Sequence, residues 1–512
     1  MNNMIKTILG AGFAIAVAFY VNSAFGNIPN SGFLMMAAVF GAYMAMNIGA
    51  NDVANNVGPA VGAGALTVGG AIVIASIFEA GGALIAGGDV VKTIKKGIID
   101  PTAFAGDPMI FVYAMAAALL AAALWLTVAT MLKAPVSTTH SIVGGVMGAG
   151  IAAGGFAVVS WATMGKIAMS WVISPVLGGV IAAGFLYIIK SKILYTENRL
   201  ESAKKIVPIL VSVMAMAFIT YLTIKGLKKV WMDIVEVLPF LPEHKHKPTI
   251  GIALIFGLIG AIITYFVVKP RVSKKVATLS DERDSINTLF TIPLIFAAAL
   301  LSFAHGANDV ANAVGPLAAI YDALANTTIS VKASIPLWVM VTGGIGISIG
   351  LALFGPRLIK TVGSEITELD QMRAFSIMMA AAITVVIASQ LGLPVSSTHI
   401  AVGGVFGVGF LREWLDRKGT DEKYIELNQQ LAVVDQYKQE LAEIGDNYQR
   451  KSELFEIVKA EKKIAKILKK ELKEKYVKRG MVKKIIAAWV ITVPVAAVLS
   501  AIVFYILKGI WA

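Results

Sequence analysis

The sequence predicts an all-α polytopic membrane protein of two inverted-topology repeats, with broken helices and re-entrant hairpins, and three observations predict it. First, 57% of the 512 residues are hydrophobic and 15% are charged, with a mean hydropathy of +0.75. A water-soluble chain of this length would carry far more polar surface. Second, apolar runs recur from end to end, among them Phe33–Met46, Ala71–Ile85, Met109–Met131, Ile167–Ile189, Ile250–Val268, Leu289–Ala304, Trp338–Phe354 and Ile485–Leu507. At roughly 20 residues per crossing they make about 12 to 13 membrane segments. Third, one seven-residue string, Gly-Ala-Asn-Asp-Val-Ala-Asn, occurs twice, at 49–55 and 306–312.

Composition also excludes. Apolar/polar alternation of the outer-membrane barrel kind is missing. The net charge of +13 comes mainly from segments between apolar spans, the pattern of positive loops rather than of a nucleic-acid surface. With no cysteine there is no disulfide framework and no thiolate metal site, and no Gly-x-x-x-x-Gly-Lys-Ser/Thr string supports an ATP-driven pump. Lys6, the run Ile8–Tyr20 and Ser23-Ala24 imitate a signal peptide. The next span opens near Ser31, so the segment is read as an uncleaved first span in a helical hairpin.

The two copies can be followed along the chain. Val57-Gly58-Pro59 returns as Val314-Gly315-Pro316, shifted by 257 positions like the string before it. Pro135-Val-Ser-Thr-Thr-His140 and Val143-Gly-Gly-Val146 return as Pro394-Val-Ser-Ser-Thr-His399 and Val402-Gly-Gly-Val405, shifted by 259. Trp171-Val-Ile-Ser174 returns as Trp489-Val-Ile-Thr492, shifted by 318, with Pro494 one place later than Pro175 predicts. The jump marks an insertion, Leu411–Lys484, with 19 Lys or Arg and 14 Asp or Glu. Its counterpart, Ile151–Gly165, carries no charge.

Within the insertion Tyr424, Leu427, Leu431, Val434, Leu441 and Ile444, then Leu454, Ile457, Ile464 and Ile467, predict two amphipathic helices in a hairpin broken near Gly445-Asp446-Asn447. Its Lys-rich second half reads as a solvated cytoplasmic face in preference to a calmodulin-like or lipid-binding one. The chain divides into a first repeat with an extra N-terminal span (1–190), linker spans and basic loops (191–285), the first part of the second repeat (286–410), the charged helical insertion (411–484) and a final span (485–512). With the insertion cytoplasmic and Ile151–Gly165 outside, equivalent points lie on opposite sides, which makes the repeats inverted. Lys190–Lys205 and Lys269–Arg283 then fall inside, while Lys92, Lys95 and Lys96 fall outside, against the usual bias.

A helix in hydrocarbon breaks only where protein or a polar cavity covers the freed backbone. The glycine, three polar residues and Gly-Pro of the first motif predict unwinding in both copies. In the second motif the proline ends one helix and hydroxyls open another. Two half-helix N-termini would meet near mid-membrane, where unpaired N–H groups and the helix dipole receive an oxyanion, helped by Ser137, Thr138, Thr139, Ser396, Ser397 and Thr398. Asp52 with Asn55, and Asp309 with Asn312, offer all-oxygen nests for a hard cation whose charge offsets the anion. Glu79 has no carboxylate counterpart in copy two, where Val341-Thr342 lies nearby. His305 has Ile48 in its place in copy one. Both are candidates for ion or proton coupling. Gly144-Gly145 and Gly403-Gly404 read as close-packing positions.

The paired motifs resemble those of the PiT-type inorganic phosphate transporter family, and the resemblance covers both halves. It implies a secondary active transporter in the inner (plasma) membrane, often a homodimer, that moves inorganic phosphate with Na⁺ or H⁺ by alternating access. It implies no cofactor beyond the coupling cation and no nucleic-acid partner. Phosphate is then expected at Asn51, Asn308 and the six hydroxyls, and the cation at Asp52, Asn55, Asp309 and Asn312, as Na⁺ if sodium is coupled. Some relatives place a glutamate on the span before each Pro-Val-Ser motif, where this chain has Met115 and Met378. The rivals are a sulfate carrier of the same fold, a passive anion channel, and an intramembrane hydrolase with Asp52, His140, Asp309 and His399 around a metal.

Overall fold

The computed structural model describes residues 3–132, 136–238, 241, 247–326, 335–365, 369–416, 422–445, 448–476 and 479–511. Pro135 of the second motif, Asp446 and Asn447 of the hairpin turn and Arg417 of the insertion lie outside that set, as does the side chain of Tyr424. The first half contains α1 (Asn3–Phe25), α2 (Ser31–Asn51), α3 (Val53–Gly62), α4 (Val68–Ala86), α5 (Gly88–Lys96), α6 (Pro108–Met131), α7 (Thr138–Gly154) and α8 (Trp161–Ile189). Next come α9 (Arg199–Gly226), α10 (Trp231–Val237), α11 (Ile250–Val276) and α12 (Arg283–Asn287). The second half holds α13 (Thr291–Ala325), α14 (Leu337–Glu365), α15 (Gln371–Gln390), α16 (Ser397–Asp416), α17 (Glu422–Glu443), α18 (Tyr448–Tyr476) and α19 (Arg479–Trp511). Eleven helical segments among the described residues are long and apolar enough to cross a membrane. The shorter α7 and the charged-ended α16 stand outside that set. The fold is all-α, with one isolated bridge, Ile99 to Val159, among the described residues.

Local chemistry sets the helix starts. Asp107 accepts from Met109 N with Pro108 in the first turn, Thr67 accepts from Gly70 N, and Asp370 accepts from Arg373 N; each satisfies a first-turn donor that hydrocarbon would leave unpaired. Burial then sorts the helices. Helix α13 is buried along nearly its whole length, from Pro293 to Leu324, and forms the axis of the molecule. Helix α11 instead turns Ile255, Ile259, Ile263 and Phe266 outward, as a lipid-facing linker span does.

Each copy packs chiefly on the other. Helix α2 lies on α14 as α13 lies on α4, and α7 lies on α19 as α16 lies on α8. Glycines set the spacing. A Cβ at Gly49 would overlap the Ile347 carbonyl and one at Gly350 the Met46 carbonyl; one at Gly306 would overlap the Glu79 carbonyl and one at Gly82 the Phe303 carbonyl. Gly144 and Gly148 meet the backbone at Val493 and Ala497, while Gly403 and Gly407 meet it at Pro175 and Gly179. These reciprocal contacts align Gly82 with Gly350, which puts Ile347, and not Val341-Thr342, opposite Glu79 in the second copy.

The first motif departs from expectation. The backbone separates α2 from α3 at Asp52, which keeps near-helical angles, and α13 runs unbroken through Gly306–Asn312 and past Pro316. The unwinding predicted for both copies is absent. Its motif glycines allow helices to touch, and the polar side chains find partners without releasing backbone groups. The second motif behaves as predicted: Ser137 and Ser396 cap new helices, accepting from His140 N at 3.1 Å and His399 N at 3.3 Å. Ahead of α6 and after α7, the chain meets itself through Asp100 N to Val158 O and Ser160 N to Ile98 O, so α6 and α7 form a hairpin whose open ends are tied together.

Lys95 is buried against Asp322 at 3.1 Å, so this basic residue on the unexpected side of the charge count is paired. The insertion forms the hairpin predicted for it, with a corrected seam. Leu427, Val434, Leu454, Val458, Ala465 and Leu472 are buried, whereas Leu431, Ile464 and Ile467 are 42%, 45% and 50% exposed. Leu454, Val458, Ala465 and Leu472 follow four- and seven-residue steps; Ile464 and Ile467 fall to one side of that line.

Candidate functional site

Four segments, α2/α3, α13 and the starts of α7 and α16, bring the two aspartates together at the centre of the bundle. Asp52, His305 and Asp309 are buried and each offers a ligand atom within 4.8 Å of the others. Thr138 Oγ1 lies 2.6 Å from Asp52 Oδ2 and 3.1 Å from Asp309 Oδ2, and its one proton serves one of the two. Thr398 Oγ1 donates to Asp52 Oδ1 at 3.0 Å and accepts from Asn55 Nδ2 at 2.8 Å. Asn312 Nδ2 reaches Thr138 Oγ1 at 3.3 Å and Thr139 Oγ1 at 3.2 Å, and Thr139 in turn donates to Val395 O at 2.9 Å.

Glu79 and His305 complete the cluster. His305 Nδ1 is 2.7 Å from Glu79 Oε2, Asn56 Nδ2 donates to Glu79 Oε1 at 2.8 Å, and His305 Nε2 is 3.3 Å from Asp309 Oδ2 and 4.0 Å from Asp52 Oδ2. The Nε2 contact is short enough for an ion pair but not aligned as a hydrogen bond. Three buried carboxylates thus face one imidazole. Burying unbalanced charge costs several kcal/mol per ion, so the cluster demands further positive charge, as protons or a cation. The donor set fits a hard cation: within the cluster, Asp309 Oδ1, Asn312 Oδ1 and Asn56 Oδ1 are buried oxygens without a hydrogen-bond partner. Ser397 Oγ is likewise buried and unpartnered beside the start of α16, where first-turn N–H groups point away from their own helix.

The sequence-predicted residues therefore divide by geometry. Asp52, Asn55, Asp309, Asn312, Thr138, Thr139, Thr398, Glu79 and His305 share one cluster joined by hydrogen bonds and ion-pair contacts, and Ser397 stands at the same helix start as Thr398. Ser137 and Ser396 spend their oxygens as caps. Asn51 Nδ2 donates to Thr130 Oγ1 at 2.9 Å. Asn308 Nδ2 donates to Ser389 Oγ at 2.9 Å and Leu393 O at 3.1 Å, and its Oδ1 accepts from Val395 N at 3.3 Å. Both asparagines latch a hairpin tip onto a motif helix, and the Asn308 amide has no donor left over.

Three features escaped the sequence reading. Thr130 and Ser389, partners of the latches, are related by the same 259-position shift and were legible as isolated hydroxyls in apolar runs. Asn56 follows Asn55 where the second copy has Ala313. Last, His140 and His399 lie ring to ring at 4.4 Å, His140 on Trp171 at 3.8 Å and His399 on Trp489 at 3.4 Å. Their ring nitrogens make no hydrogen bond, so neither imidazole is a base oriented toward Asp52 or Asp309, as the hydrolase reading requires.

Comparison with known proteins agrees with this geometry. A sequence model described as the phosphate transporter family matches residues 48–500. A relative from Helicobacter pylori named "Putative phosphate permease" is 50% identical over 518 aligned positions, covering 96% of this chain and 94% of its own length. A similarly named relative from Pyrococcus abyssi is 39% identical, covering 74% and 89%. A solved structure named "The sodium-dependent phosphate transporter" superposes with a TM-score of 0.74 at 33% identity, covering 94% of this chain and all of the other.

Proposed function

The chain belongs to the phosphate transporter family, a family of membrane transporters and not of enzymes, and we propose that its central cluster carries inorganic phosphate together with a cation by alternating access. The observation that carries this reading is the convergence of Asp52 and Asp309 with two hydroxyl-bearing helix starts in one buried cluster. Carboxylates alone would repel a tetrahedral dianion. A cation on Asp309 Oδ1 and Asn312 Oδ1 turns that repulsion into mutual dependence, while Thr138, Ser397, Thr398 and the first-turn amides receive the anion. Phosphate and cation each then bind better with the other present, which is what a symporter needs.

Sodium is the proposed coupling ion, supported by the oxygen donor set and by the sodium dependence of the solved relative. The Glu79–His305 pair gives protons a second route onto the same carboxylates. The exchanged packing of α2 on α14 with α13 on α4, and of α7 on α19 with α16 on α8, supports inverted repeats that rock about the shared site. The test is phosphate uptake into proteoliposomes with sodium and pH gradients imposed separately. A sodium gradient alone should drive concentrative uptake that excess sulfate leaves undiminished. Uptake driven only by a pH gradient would move the coupling role to His305, and competition by sulfate would change the cargo.

A further inference from the structure

The insertion hairpin carries a charge pattern that the transport cluster does not use. Viewed down α18, the face turned toward α17 is marked by Leu454, Val458, Ala465 and Leu472, all buried. At 100° per residue, Lys459, Lys462, Lys463, Lys466, Lys469 and Lys470 fall within one arc of about 120° that begins just past the edge of that seam and runs round one flank of the helix. The arc holds Phe455 and no Asp or Glu. All six lysines are exposed. Lys459 pairs with Glu456 at 3.3 Å; the other five make no ion pair among the described residues. Helix α17 carries more acid than base and packs on the adjoining seam face, yet among the described residues none of its carboxylates pairs with those five lysines.

The base of the hairpin fixes its height. Leu427, Ala465 and Leu472 pack with Leu468 and with Phe406 of α16. Helix α16 begins at the central cluster, and Phe406 lies about 13 Å along it from Ser397, close to the roughly 15 Å half-thickness of the hydrocarbon. One and two turns further, Phe410 and Trp414 are 50% and 51% exposed, as aromatic side chains are at a membrane–water boundary. Helix α19 enters its apolar span at Ile486. Lys462–Lys470 therefore stand at the level of the lipid headgroups, with Ile467 turned outward beside them.

We propose that this acid-free lysine arc of α18 binds anionic phospholipid headgroups of the membrane that the protein spans. The charges are complementary, five of the six ammonium groups make no ion pair among the described residues, and Ile467, half exposed beside the arc, gives the helix an apolar shoulder of the kind that interfacial helices insert. The inference does not depend on which anion or coupling ion the central cluster carries.

The chain has no cysteine, so a single introduced one labels uniquely. Ile467→Cys and, at the far end of the hairpin, Gln449→Cys would carry a fluorophore in nanodiscs doped with headgroup-spin-labelled lipid. In discs rich in phosphatidylglycerol the label at position 467 should be quenched at least about twofold more than in phosphatidylcholine discs, and 1 M salt should erase the difference; position 449 should show none. Replacing Lys462, Lys463, Lys466, Lys469 and Lys470 together with Gln should reduce quenching to the phosphatidylcholine value with phosphate uptake retained, and replacing them with Arg should preserve it. Quenching independent of lipid charge would overturn the proposal. So would protection of position 467 by soluble polyphosphate in discs of either kind, which would make the ligand a free polyanion.

Discussion

Helices α2 and α3 meet at Asp52, and α4 and α5 meet at Gly87, whereas their counterparts α13 and α14 run unbroken. The same motif is thus built two ways in one molecule. Both oxygens of Asp52 lie within hydrogen-bond distance of a threonine hydroxyl, while Asp309 keeps Oδ1 without a partner and has His305 one turn away. Two substitutions account for the difference in surroundings: His305 stands where copy one has Ile48, and Glu79 where copy two has Ile347. The repeat supplies two equivalent carboxylates, and its divergence leaves one a hydrogen-bonded strut and the other with a free oxygen, the one to which the proposed mechanism assigns the cation.

The largest effect is expected at these carboxylates. Asp309→Asn should lower concentrative uptake by at least about 100-fold, since it removes the charge on which the cation depends; that corresponds to about 3 kcal/mol, in the range for breaking a buried charge cluster. Asp52→Asn should also abolish coupled uptake, with a further loss of thermal stability in detergent, because the Thr138 and Thr398 contacts of two hairpins converge on it. Equal stability of the two variants, measured by a thermal-shift assay, would remove the distinction between strut and ion site.

The Glu79–His305 pair exists on one side only and comes next in size. Glu79→Gln and His305→Gln should each slow uptake about tenfold, and the double variant should do no more than either alone, as contacting members of one network behave. Additive losses in initial rates would mean that the two residues act separately. Replacing both with Ile, as at positions 347 and 48, makes the copies alike and should leave a folded protein whose uptake no longer responds to an imposed pH gradient.

Where the copies are packed alike, their variants should match. Gly49→Ala and Gly306→Ala each drive a methyl into a facing carbonyl, of Ile347 and of Glu79, and should each cost about 2 kcal/mol as overpacking does. Unequal shifts in melting temperature would show that one helix pair can give way.

Much of this was legible because a repeat is its own alignment. The shifts of 257, 259 and 318 brought out Asp52, Asp309, the hydroxyl-bearing helix starts and the insertion from residue order alone. What the string could not convey was which side chains would be used up by the fold. Asn51 and Asn308 look like ligands, yet they latch hairpin tips; Ser137 and Ser396 look like Thr138 and Ser397, yet they cap. Polar side chains at a broken helix have local and distant partners of equal chemical merit, and only three-dimensional packing chooses. The expected unwinding at Gly306–Asn312 failed for a related reason: glycine is needed there for close approach to Glu79, which a sequence does not separate from a chain break. Ile464 and Ile467 were placed in the hairpin seam because three- and four-residue steps fit more than one line along a helix.

Helix α5 is a product of the break at Gly87, and its hold on the bundle is the last and smallest effect. Asp89, in its first turn, accepts from buried Lys225, with Lys228 at 3.9 Å and Lys92 at 3.7 Å. Partial burial alone would raise its carboxyl, but the Lys225 hydrogen bond and the three ammonium charges hold it below the ordinary carboxylate value. A carboxyl whose folded pKa is depressed stabilises the fold above its unfolded pKa, near 3.8, and loses that contribution as pH falls through the folded value. Because the side chain is 30% exposed, the contribution is at most about 1 kcal/mol. Asp89→Asn should therefore lower the melting temperature slightly at pH 7 and not at all at the acid end of the pH range. A pH-independent loss would mean that α5 is held by Val90, Val91 and Ile94, which are buried along its apolar side, and that the broken helix of the first copy is as firmly seated as the continuous one of the second.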